Sequence, residues 1–395
     1  MNFIEDINIK NKKVLIRVDY NVPMENNEIV NDFRIRSSLD TIKYCLDQNA
    51  SIVLMSHMGR PKDLNDKELS LEPISWYLED LLDTNVYFSE DCISDKSLLM
   101  SKSLQSKEIL LLENLRFHKG ECDNDLGFSE KLSKHADIYI NDAFGTAHRK
   151  HASNVGLTEY FKDKAFGFLM RDEIKYLKDS MNNPVQPLNI IVGGAKVSSK
   201  INLINNFIDK ADMILIGGGM AFTFLKAMGY EIGNSLFEED FEFKALDIIE
   251  NAKEKGVSLI LPSDVVCAKD IDDPTTIEVK NIDSLDSDDI GLDIGPETCI
   301  NFNIFINSSK MIIWNGPMGF FENNYFSTGT QSVASALNEV SENNQAITVI
   351  GGGDTVSAID NFNSNLKFTH ISTGGGASLE MLSGNKLAAL EALKK

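Results

Sequence analysis

The sequence predicts an α/β fold with parallel sheets, and three observations indicate it. Short apolar runs recur along the 395-residue chain, and each is followed by polar residues or glycine and then by a longer segment of helical period. This alternation is typical of parallel strands joined by helices. The residues after the runs are charged or polar in the first half and glycine in the second. A chain of this length that is 43% hydrophobic usually forms more than one core, so we expect two domains.

The first half contains four predicted strands, in the runs KVLIRVDYN, ASIVLMSHMGRP, EILLLENLRF and ADIYINDAFG. Open parallel sheets bind ligands beyond the carboxyl ends of their strands, so the polar residues after these runs should lie close together. The arginines support this, because all seven lie within the first 171 residues, at positions 17, 34, 36, 60, 116, 149 and 171. A guanidinium group binds carboxylate or phosphate through two parallel hydrogen bonds. The first half is therefore predicted to bind a small anion.

A charged helix is predicted next, in RDEIKYLKDSMNNPVQP, where an Asn-Asn-Pro sequence and a second proline end the helical pattern. We interpret residues 171–187 as a linker between a first domain, residues 1–170, and a second domain, residues 188–370. Residues 371–395 have helical period after a glycine cluster, and their pattern does not assign them to either domain.

The second half contains five predicted strands, in the runs NIIVGG, MILIGGGM, MIIWNGPMG, ITVIGGGDT and THISTGGG, and glycine follows each. Backbone N–H groups at helix N-termini bind phosphate, so five such strand ends predict a phosphate site. The pattern matches neither G-x-G-x-x-G nor GxxxxGK[ST], which argues against a dinucleotide fold or a P-loop. Gly193 and Gly194 are expected to let the backbone approach the ligand. Lys196 and Lys200 follow them and are expected one helical turn apart, both facing phosphate oxygens.

Three further strand ends carry candidate ligands. Asp354 in GGGDT can bind Mg²⁺ through a carboxylate oxygen while Thr355 contacts phosphate, or Asp354 can cap the following helix. Glu322 in WNGPMGFFE is either an acceptor for ribose hydroxyl groups or a solvent-exposed helix residue. Residues 374–376 in TGGGASLE offer three N–H groups at a helix start, where they can stabilise negative charge that develops during a transfer reaction.

Composition argues against several classes of protein. A formal net charge of −21 argues against general binding to nucleic acid or to an anionic membrane. The first residues do not resemble a signal sequence, and no apolar run approaches the ~18 residues of a membrane span. The five cysteines form no CxxC pair and are odd in number, so we expect reduced thiols in a soluble, unexported protein. His148 and His151 could bind a metal, but the sequence supplies no third ligand pattern nearby.

Ten motifs give the chain a close resemblance to the phosphoglycerate kinase family, and they occur in that family's order: RVDYNVP, SHMGRP, LLENLRFHKGE, NDAFGTAHR, GGAKVS, IGGGMAFTFLKA, LDIGPET, WNGPMG, GGGDT and STGGGASLE. The resemblance implies two doubly wound parallel-sheet (Rossmann-like) α/β domains joined by a hinge helix. It implies that 3-phosphoglycerate binds the first domain and that Mg²⁺ with ATP or ADP binds the second, while residues 371–395 return to the first. The implied enzyme is a cytoplasmic monomer that converts 1,3-bisphosphoglycerate and MgADP to 3-phosphoglycerate and MgATP, reversibly, in glycolysis and gluconeogenesis.

The family's functional residues carry over to the matching positions of this sequence. The implied 3-phosphoglycerate ligands are Asp19, Asn21, Arg34, His57, Arg60, Arg116 and Arg149. The implied nucleotide ligands are Lys196, Lys200, Gly217, Gly291, Asn315, Glu322, Gly351, Gly352, Gly353, Asp354 and Thr355, and Asp354 is also the implied ligand of Mg²⁺. The implied catalytic residues are Arg34, Lys196, Lys200, Gly374 and Gly375. Ser199 stands where many family members have aspartate, which removes a negative charge between the two lysines.

The implied chemistry suits these residues better than two other classes do. A carboxylate nucleophile with an ordinary pKa near ~4 is already ionised at neutral pH, so the site needs cations and no general base. A nicotinamide-dependent dehydrogenase would share the fold class, but it needs the glycine fingerprint that is missing here. A two-lobed solute-binding protein would share a hinge and an anion pocket, but it needs export. Because Arg34 and Lys200 belong to different halves, we expect a transfer that uses both to require closure of the domains.

Overall fold

The computed structural model describes residues 1–62, 66–362 and 365–394. The chain forms two compact units. The first unit contains residues 1–175 together with residues 386–395, and the second unit contains residues 176–385.

A six-stranded sheet forms the centre of the first unit. The chain forms β1 (Lys13–Val18), the hairpin strands β2 (Met24–Glu25) and β3 (Glu28–Ile29), then β4 (Ser51–Met55), β5 (Val86–Ser89), β6 (Ile109–Leu112), β7 (Ile138–Asp142) and β8 (Lys164–Phe166). The sheet has the order β5-β6-β4-β1-β7-β8, and every neighbouring pair is parallel. Every residue of β4, β6 and β7 is buried, which explains why these strands read as continuous apolar runs.

The helices of the first unit connect these strands: α1 (Phe33–Ser37), α2 (Leu39–Asp47), α3 (Glu72–Leu82), α4 (Asp95–Ser103), α5 (Lys119–Cys122) and α6 (Leu126–Ser133). The side chains of Ser94 and Asp125 accept backbone N–H bonds at the starts of α4 and α6, so polar caps set where these helices begin. Ile42 and Cys45 lie one turn apart on α2 and are buried in the core that contains Ile16 of β1.

The long helix α7 (Phe168–Asn182) contains the point at which the two units divide. Asp142, the last residue of β7, accepts a 3.1 Å hydrogen bond from the N–H of Met170 in the first turn of this helix. The helix ends at Asn182, next to the Asn-Pro dipeptide of residues 183–184.

The second unit contains another six-stranded parallel sheet. The described strands of this unit, from both of its sheets, are β9 (Leu188–Val192), β10 (Met213–Ile216), β11 (Ser258–Ile260), β12 (Asp264–Ala268), β13 (Glu278–Asn281), β14 (Ile290–Ile294), β15 (Met311–Asn315), β16 (Ile347–Gly351) and β17 (His370–Ile371). The parallel sheet has the order β11-β10-β9-β15-β16-β17. The remaining strands form an antiparallel sheet in the order β13-β12-β14. The sequence did not predict this small sheet, because β13 is largely exposed and shows no apolar run.

The helices of the second unit are α8 (Ile201–Phe207), α9 (Ala221–Ala227), α10 (Glu242–Lys255), α11 (Pro296–Ser308), α12 (Thr328–Glu342), α13 (Gly353–Asn361) and α14 (Gly375–Leu382). Phe302 of α11 and Leu337 of α12 are buried with Trp314 of β15 in one core. The last helix, α15 (Ala388–Leu393), belongs to the first unit, where the Ala389 N–H donates a 2.9 Å hydrogen bond to the carbonyl oxygen of Ala147.

The predicted fold class, α/β with two parallel sheets, is confirmed. The strand order also groups the motifs, because the four motif-bearing strands of the first half, β6, β4, β1 and β7, are consecutive neighbours. The five glycine-tipped strands of the second half, β10, β9, β15, β16 and β17, are consecutive neighbours as well. In the part of the chain that the structure describes, no helix is long and apolar enough to cross a membrane.

Candidate active site

The first group of candidate residues lies at the carboxyl edge of the first unit's sheet. Parallel strands all end at the same edge, so the loops after β6, β4, β1 and β7 extend from neighbouring positions. These loops carry the polar residues that the sequence singled out. The sheet order therefore explains how residues more than 100 positions apart in the chain come together.

His57, in the loop after β4, is surrounded by positive charge. It is 3% exposed, and its pKa is held well below the ordinary value by burial and then by the charges of Arg17, Arg116, Arg149 and Arg34. The Arg17 guanidinium donates a 3.2 Å hydrogen bond to Nδ1 of His57. Because arginine can only donate, Nδ1 must be the unprotonated nitrogen and the proton lies on Nε2. His57 is therefore a neutral group whose Nε2–H is suited to donate a hydrogen bond to an anion.

Asp19, Asn21 and Arg34 form a connected group at the same edge. The Arg34 guanidinium donates a 2.6 Å hydrogen bond to the carbonyl oxygen of Asn21 and lies 3.8 Å from Asp19 Oδ2. Asn21 Oδ1 accepts a 2.8 Å bond from the Gly59 N–H. His57 Nδ1 is 3.8 Å from Asp19 Oδ1, but this contact is not an ion pair because His57 is neutral. Arg34 is 31% exposed, which leaves part of its guanidinium open to a ligand.

Arg116, after β6, is held against the loop that follows β4. Its guanidinium donates a 2.5 Å hydrogen bond to the carbonyl oxygen of Gly59. The buried Asn114 side chain accepts bonds from the N–H groups of Met58 and Arg116, at 3.1 and 3.0 Å, and so ties the two loops together. Burial, followed by the charge of Arg149, lowers the pKa of Arg116 to about 10, so it stays charged at neutral pH. Its buried Nε has no hydrogen-bond partner among the described residues, which marks a position for an anion.

The loop after β7 contributes Arg149 and two histidines. Arg149 Nε donates a 3.3 Å hydrogen bond to His148 Nε2. Burial and then the charge of Arg116 lower the pKa of His151 to about 4, so His151 is neutral near pH 7. Arg60 is exposed and makes no hydrogen bond with the described residues. Contacts and charge thus connect six of the seven predicted substrate ligands, and Arg60 is connected to them only by its position in the loop.

Three buried residues that the sequence analysis did not assign support this group. Arg17 Nε donates a 2.9 Å hydrogen bond to Ser153 Oγ, and Ser153 Oγ donates a 2.6 Å bond to Glu121 Oε1. The Ser153 N–H donates a 2.9 Å bond to Glu121 Oε2. All three residues are fully buried, so the Glu121 carboxylate balances the charge of Arg17 through Ser153. The buried position of Glu121 has no sequence signal, because an acid in FHKGE reads as a solvent-exposed residue.

The second group of candidate residues lies at the carboxyl edge of the second unit's sheet, where the glycine clusters pack against one another. A Cβ atom at Gly193 would lie 2.1 Å from the carbonyl oxygen of Pro317, and one at Gly218 would lie 2.6 Å from the nitrogen of Gly194. The N–H groups of Gly193 and Gly194 donate to the carbonyl oxygens of Asn315 and Pro317, at 3.0 and 2.8 Å. Gly193 thus makes room for a neighbouring loop, and both N–H groups are already used within the protein, whereas the approach of this backbone to a ligand stays a prediction.

Lys196 and Lys200 do not lie one α-helical turn apart, so that expectation is wrong. Lys196 is extended, with φ −129° and ψ 127°, and a short 3₁₀ turn, Val197–Ser199, separates it from Lys200. Lys196 is exposed, whereas Lys200 is half-buried and its ammonium group donates a hydrogen bond to Asn315 Oδ1. Burial lowers the pKa of Lys200, and the nearby charge of Asp354 opposes that shift. Lys200 is thus the lysine whose ammonium group lies at the carboxyl end of β15, beside Asn315.

Residues 351–355 turn from β16 into α13. Gly352 has φ +98° and occupies the N-cap position without a side-chain bond, so the alternative in which Asp354 caps the helix is wrong. Asp354 lies in the first turn and is exposed, which leaves its carboxylate open to a cation. The Thr355 hydroxyl is buried, accepts a 2.7 Å bond from the Gly316 N–H and donates a 2.9 Å bond to the Gly351 carbonyl oxygen. Thr355 can therefore offer a phosphate only its backbone N–H.

The N-termini of α13 and α14 meet at this edge. A Cβ atom at Gly375 would lie only 2.8 Å from the nitrogen of Gly353, whereas one at Gly353 would meet nothing within 4 Å. Gly374 is the N-cap residue of α14, and its N–H donates a 3.2 Å hydrogen bond to Ser372 Oγ, so the prediction that residue 374 offers a free N–H group is wrong. Asn315 Nδ2 has no hydrogen-bond partner among the described residues and lies 3.2 Å from the Cβ position of Gly352. Because the first N–H groups of a helix have no partner within it, the two helix starts together form a site suited to an anion.

The remaining predicted nucleotide ligands occupy different environments. Gly217 and Gly291 are buried, and a Cβ atom at these positions would lie 2.6 Å from Met318 Sδ and 1.9 Å from Phe222 Cζ, respectively. Their small size is thus required by packing. Glu322 lies in an exposed turn, so its interpretation as a helix residue is wrong and its carboxylate is open to solvent.

Comparisons with known proteins give a consistent result over the whole chain. The profile of the family described as phosphoglycerate kinase matches residues 4–385. A phosphoglycerate kinase from Finegoldia magna is 47% identical over 392 residues, which cover 99% of this chain and 98% of that protein. One from Prochlorococcus marinus (strain MIT 9312) is 45% identical over 394 residues, covering 100% and 98%. The structure of phosphoglycerate kinase from Coxiella burnetii superposes with a TM-score of 0.87 at 39% identity, covering 99% of this chain and 97% of that one.

Proposed function

Because the chain belongs to the phosphoglycerate kinase family, we propose that its arginine-rich strand ends bind 3-phosphoglycerate and its glycine-rich strand ends bind the nucleotide. As a member of the family, the enzyme is a phosphotransferase that interconverts 1,3-bisphosphoglycerate and ADP with 3-phosphoglycerate and ATP in glycolysis. The observation that carries the residue assignment is the meeting of two helix N-termini beside the Lys200–Asn315 pair. This arrangement places N–H groups and an ammonium group together, as a phosphoryl group in transfer requires.

The cationic edge of the first unit supplies the binding site for the glycerate. Arg34, Arg116 and Arg149 are charged, and His57 is a neutral donor, so the edge can hold a carboxylate and a phosphate by charge-assisted hydrogen bonds. Arg60 and Asn21 are the proposed additional ligands. Burial and neighbouring arginines depress the pKa values of His57 and His151 at this edge, so both are neutral and add no charge that would hold the product more tightly.

Arg17, Ser153 and Glu121 are proposed positioning residues. The hydrogen-bonded chain from Glu121 through Ser153 to Arg17 fixes the guanidinium that contacts His57 Nδ1. It thereby keeps the His57 proton on Nε2, the nitrogen that is left to contact the substrate. The buried Glu121 carboxylate, which does not contact the substrate, thus controls through Ser153 and Arg17 how His57 binds it.

The transfer step needs no proton movement. In the direction of ATP synthesis, an oxygen of the ADP β-phosphate forms a bond to the acyl phosphorus of 1,3-bisphosphoglycerate. The bond from that phosphorus to the carboxyl oxygen breaks, and its electron pair leaves with the carboxylate of 3-phosphoglycerate. Lys200 and the N–H groups of residues 353 and 375–376 are proposed to contact the oxygens of the moving phosphoryl group, and Arg34 is proposed to assist from the substrate side. Lys196 is exposed and is proposed to contact the nucleotide in a supporting role.

Asp354 is the residue that would hold Mg²⁺. It fits that ion because its carboxylate is exposed, lies in the first turn of α13 and makes no capping bond. When bound with the nucleotide, Mg²⁺ supplies neutralisation of phosphate charge. Glu322, with its exposed carboxylate, is proposed as the acceptor for the ribose hydroxyl groups.

We also propose that the enzyme is a cytoplasmic monomer in which α7 acts as the hinge. Five free cysteines suit a reducing compartment. The proposed ligands of the glycerate lie in residues 1–175 and those of the nucleotide in residues 176–385, so a state that uses Arg34 and Lys200 together gains contacts only with both ligands bound. Small-angle scattering should show the radius of gyration falling most in a ternary complex with a non-reacting nucleotide analogue. A ternary complex as extended as the free enzyme would contradict the hinge.

A coupled assay tests the proposed activity directly. ATP and 3-phosphoglycerate should turn over with Mg²⁺ and should turn over poorly after the metal is chelated. Absence of turnover with Mg²⁺ would contradict the assignment. A dehydrogenase would instead change NADH absorbance without coupling enzymes, and we expect no such change.

A further inference from the structure

Outside the proposed active site, three side chains with different metal-binding atoms meet at the edge of the first unit's sheet. Asp91 and Cys92 follow β5, and His118 follows the neighbouring strand β6. One ligand atom from each residue lies within 4.8 Å of the other two. We propose that Asp91, Cys92 and His118 form a binding site for a zinc-like divalent cation.

The Asp91 carboxylate is already oriented for this role. Its Oδ1 accepts hydrogen bonds from the N–H groups of Ile93 and Ser94, at 2.6 and 2.9 Å. Its Oδ2 lies 3.1 Å from His118 Nε2, so one proton bridges these two atoms. Bonds that fix the second oxygen of a ligating carboxylate are a regular feature of metal sites. One oxygen thus holds the side chain in place, and the other is directed at the proposed metal position.

The separations are close to those of a zinc site. Zinc binds nitrogen and oxygen at about 2.0–2.2 Å with tetrahedral angles, which puts two such ligands ~3.3 Å apart. The observed 3.1 Å between Asp91 Oδ2 and His118 Nε2 needs almost no adjustment. A zinc-bound sulfur at about 2.3 Å would lie ~3.6 Å from either atom, so each sulfur separation, which is at most 4.8 Å, has to shorten by at most ~1.2 Å.

The donor set selects the kind of cation. Thiolate and imidazole ligands favour zinc and related transition metals, whereas Mg²⁺ and Ca²⁺ prefer oxygen ligands alone. Three protein ligands leave a fourth position for water or a small ligand. The three residues line a cavity of about 470 Å³, which gives the ion a route from solvent. Binding releases the Cys92 thiol proton to solvent, and the metal takes the place of the proton on His118 Nε2 while the neutral imidazole carries its proton on Nδ1.

Titration calorimetry with Zn²⁺ tests this site, and Cys122 supplies the matched control. Cys122 is an exposed free cysteine of the same unit, so Cys122→Ser removes a thiol that could bind zinc adventitiously. The wild-type protein and Cys122→Ser should bind one equivalent of Zn²⁺ with equal affinity. Cys92→Ser and His118→Gln should each weaken binding by at least ~10-fold, the scale seen when a metal's surroundings are disturbed.

Cobalt gives a second readout that does not depend on affinity. Co²⁺ bound by the wild-type protein should show a thiolate-to-metal charge-transfer band, and Cys92→Ser should lose that band while Cys122→Ser keeps it. Circular dichroism melts would establish that each variant is folded. The proposal is overturned if wild-type protein binds no Zn²⁺ at stoichiometric concentration, or if Cys122→Ser abolishes binding and Cys92→Ser does not. Failure here would leave the kinase assay unaffected, because none of the three residues is a proposed ligand of either substrate.

Discussion

The two units present their proposed anion-binding groups at the same place in a parallel sheet but use different chemistry. In the first unit, side chains supply the positive charge, with four arginines around a neutral histidine. In the second unit, backbone N–H groups at two converging helix starts accompany one half-buried lysine. The same sheet geometry therefore supports a group of guanidinium side chains in the first unit and a group of backbone N–H donors in the second.

The difference matches what each ligand has to do. The proposed glycerate would be held in one orientation by its carboxylate and phosphate, and planar guanidinium groups match that fixed geometry. A transferring phosphoryl group shifts its charge during the reaction, and fixed N–H groups can stabilise the shifted charge without rearranging. We expect substitutions in the first unit to change substrate binding and substitutions in the second to change the rate of transfer.

The largest effect should come from Lys200→Ala. We expect kcat to fall by ~10²-fold or more with little change in either KM, because the ammonium group is proposed to meet charge that develops during transfer. Steady-state kinetics with both substrates measures this. Lys196→Ala, which removes an exposed lysine from the same turn, is the control and should have a much smaller effect. A raised KM at normal kcat would assign Lys200 to ground-state binding, and it would contradict the expected difference between the two units.

Arg149→Lys should weaken 3-phosphoglycerate binding by about tenfold, because an ammonium group keeps the charge but loses the paired hydrogen bonds. Affinity for ADP should stay unchanged. Calorimetry with each ligand separately makes the comparison, and Arg60→Lys in the loop after β4 should behave in the same way. Equal losses for both ligands would mean that the two edges are not independent.

Ser153→Ala should raise the KM for 3-phosphoglycerate by roughly fivefold at near-normal kcat, since one buried hydrogen bond is worth about 1 kcal/mol. The change breaks the link between Glu121 and Arg17, so nitrogen NMR should also show a mixture of His57 tautomers. Ser129→Ala is the matched control, because that buried hydroxyl donates only to the carbonyl oxygen of Asp125. A variant with wild-type KM and tautomer would reduce Ser153 to a packing residue.

Asp354→Asn should raise the Mg²⁺ concentration needed for half-maximal activity by a few-fold, because an amide oxygen carries no charge to attract the ion. The glycerate affinity, measured without nucleotide, should not change. A metal titration in the coupled assay measures the first quantity and calorimetry the second. Superimposable titrations for variant and wild type would remove Asp354 from the metal site.

The smallest expected effect is on the pH dependence of stability, through a histidine of the first unit. The pKa of His151 is about 4 in the folded protein against an ordinary 6.5, so the folded state binds fewer protons than the unfolded state between these values. The contribution of His151 to the free energy of unfolding is therefore lost as pH falls from 6.5 to 4. His151→Gln should lose less stability than wild type over this window, while the buried acids Asp142 and Asp293 affect both proteins alike. If denaturation at each pH shows that both proteins lose the same free energy of unfolding between pH 6.5 and 4, the lowered pKa of His151 is contradicted.

The sequence predicted the parts of the structure that repeat. Apolar runs ending in arginine, aspartate or glycine located the strands, and parallel topology then required their ends to meet. It could not distinguish a buried charge from an apolar strand residue, which is why Arg17 escaped assignment although it occupies β1. It also could not show that Gly193 and Gly194 pack against residues more than 100 positions away. Spacing alone gave Lys196 and Lys200 the wrong geometry, because four positions in sequence do not distinguish an α-helical turn from an extended residue followed by a 3₁₀ turn.

The assignment of residues 386–395 to the first unit bears on the order in which the protein folds. Residues 386–395 complete that unit, and Ala389 is hydrogen-bonded to Ala147, two positions before Arg149. This hydrogen bond joins positions more than ~200 residues apart, because the second unit lies between them in the chain. Contacts between distant positions form slowly, since the intervening chain has to be closed into a loop first. We therefore expect the contact that supports the Arg149 loop to form late in folding, after the local contacts within each unit.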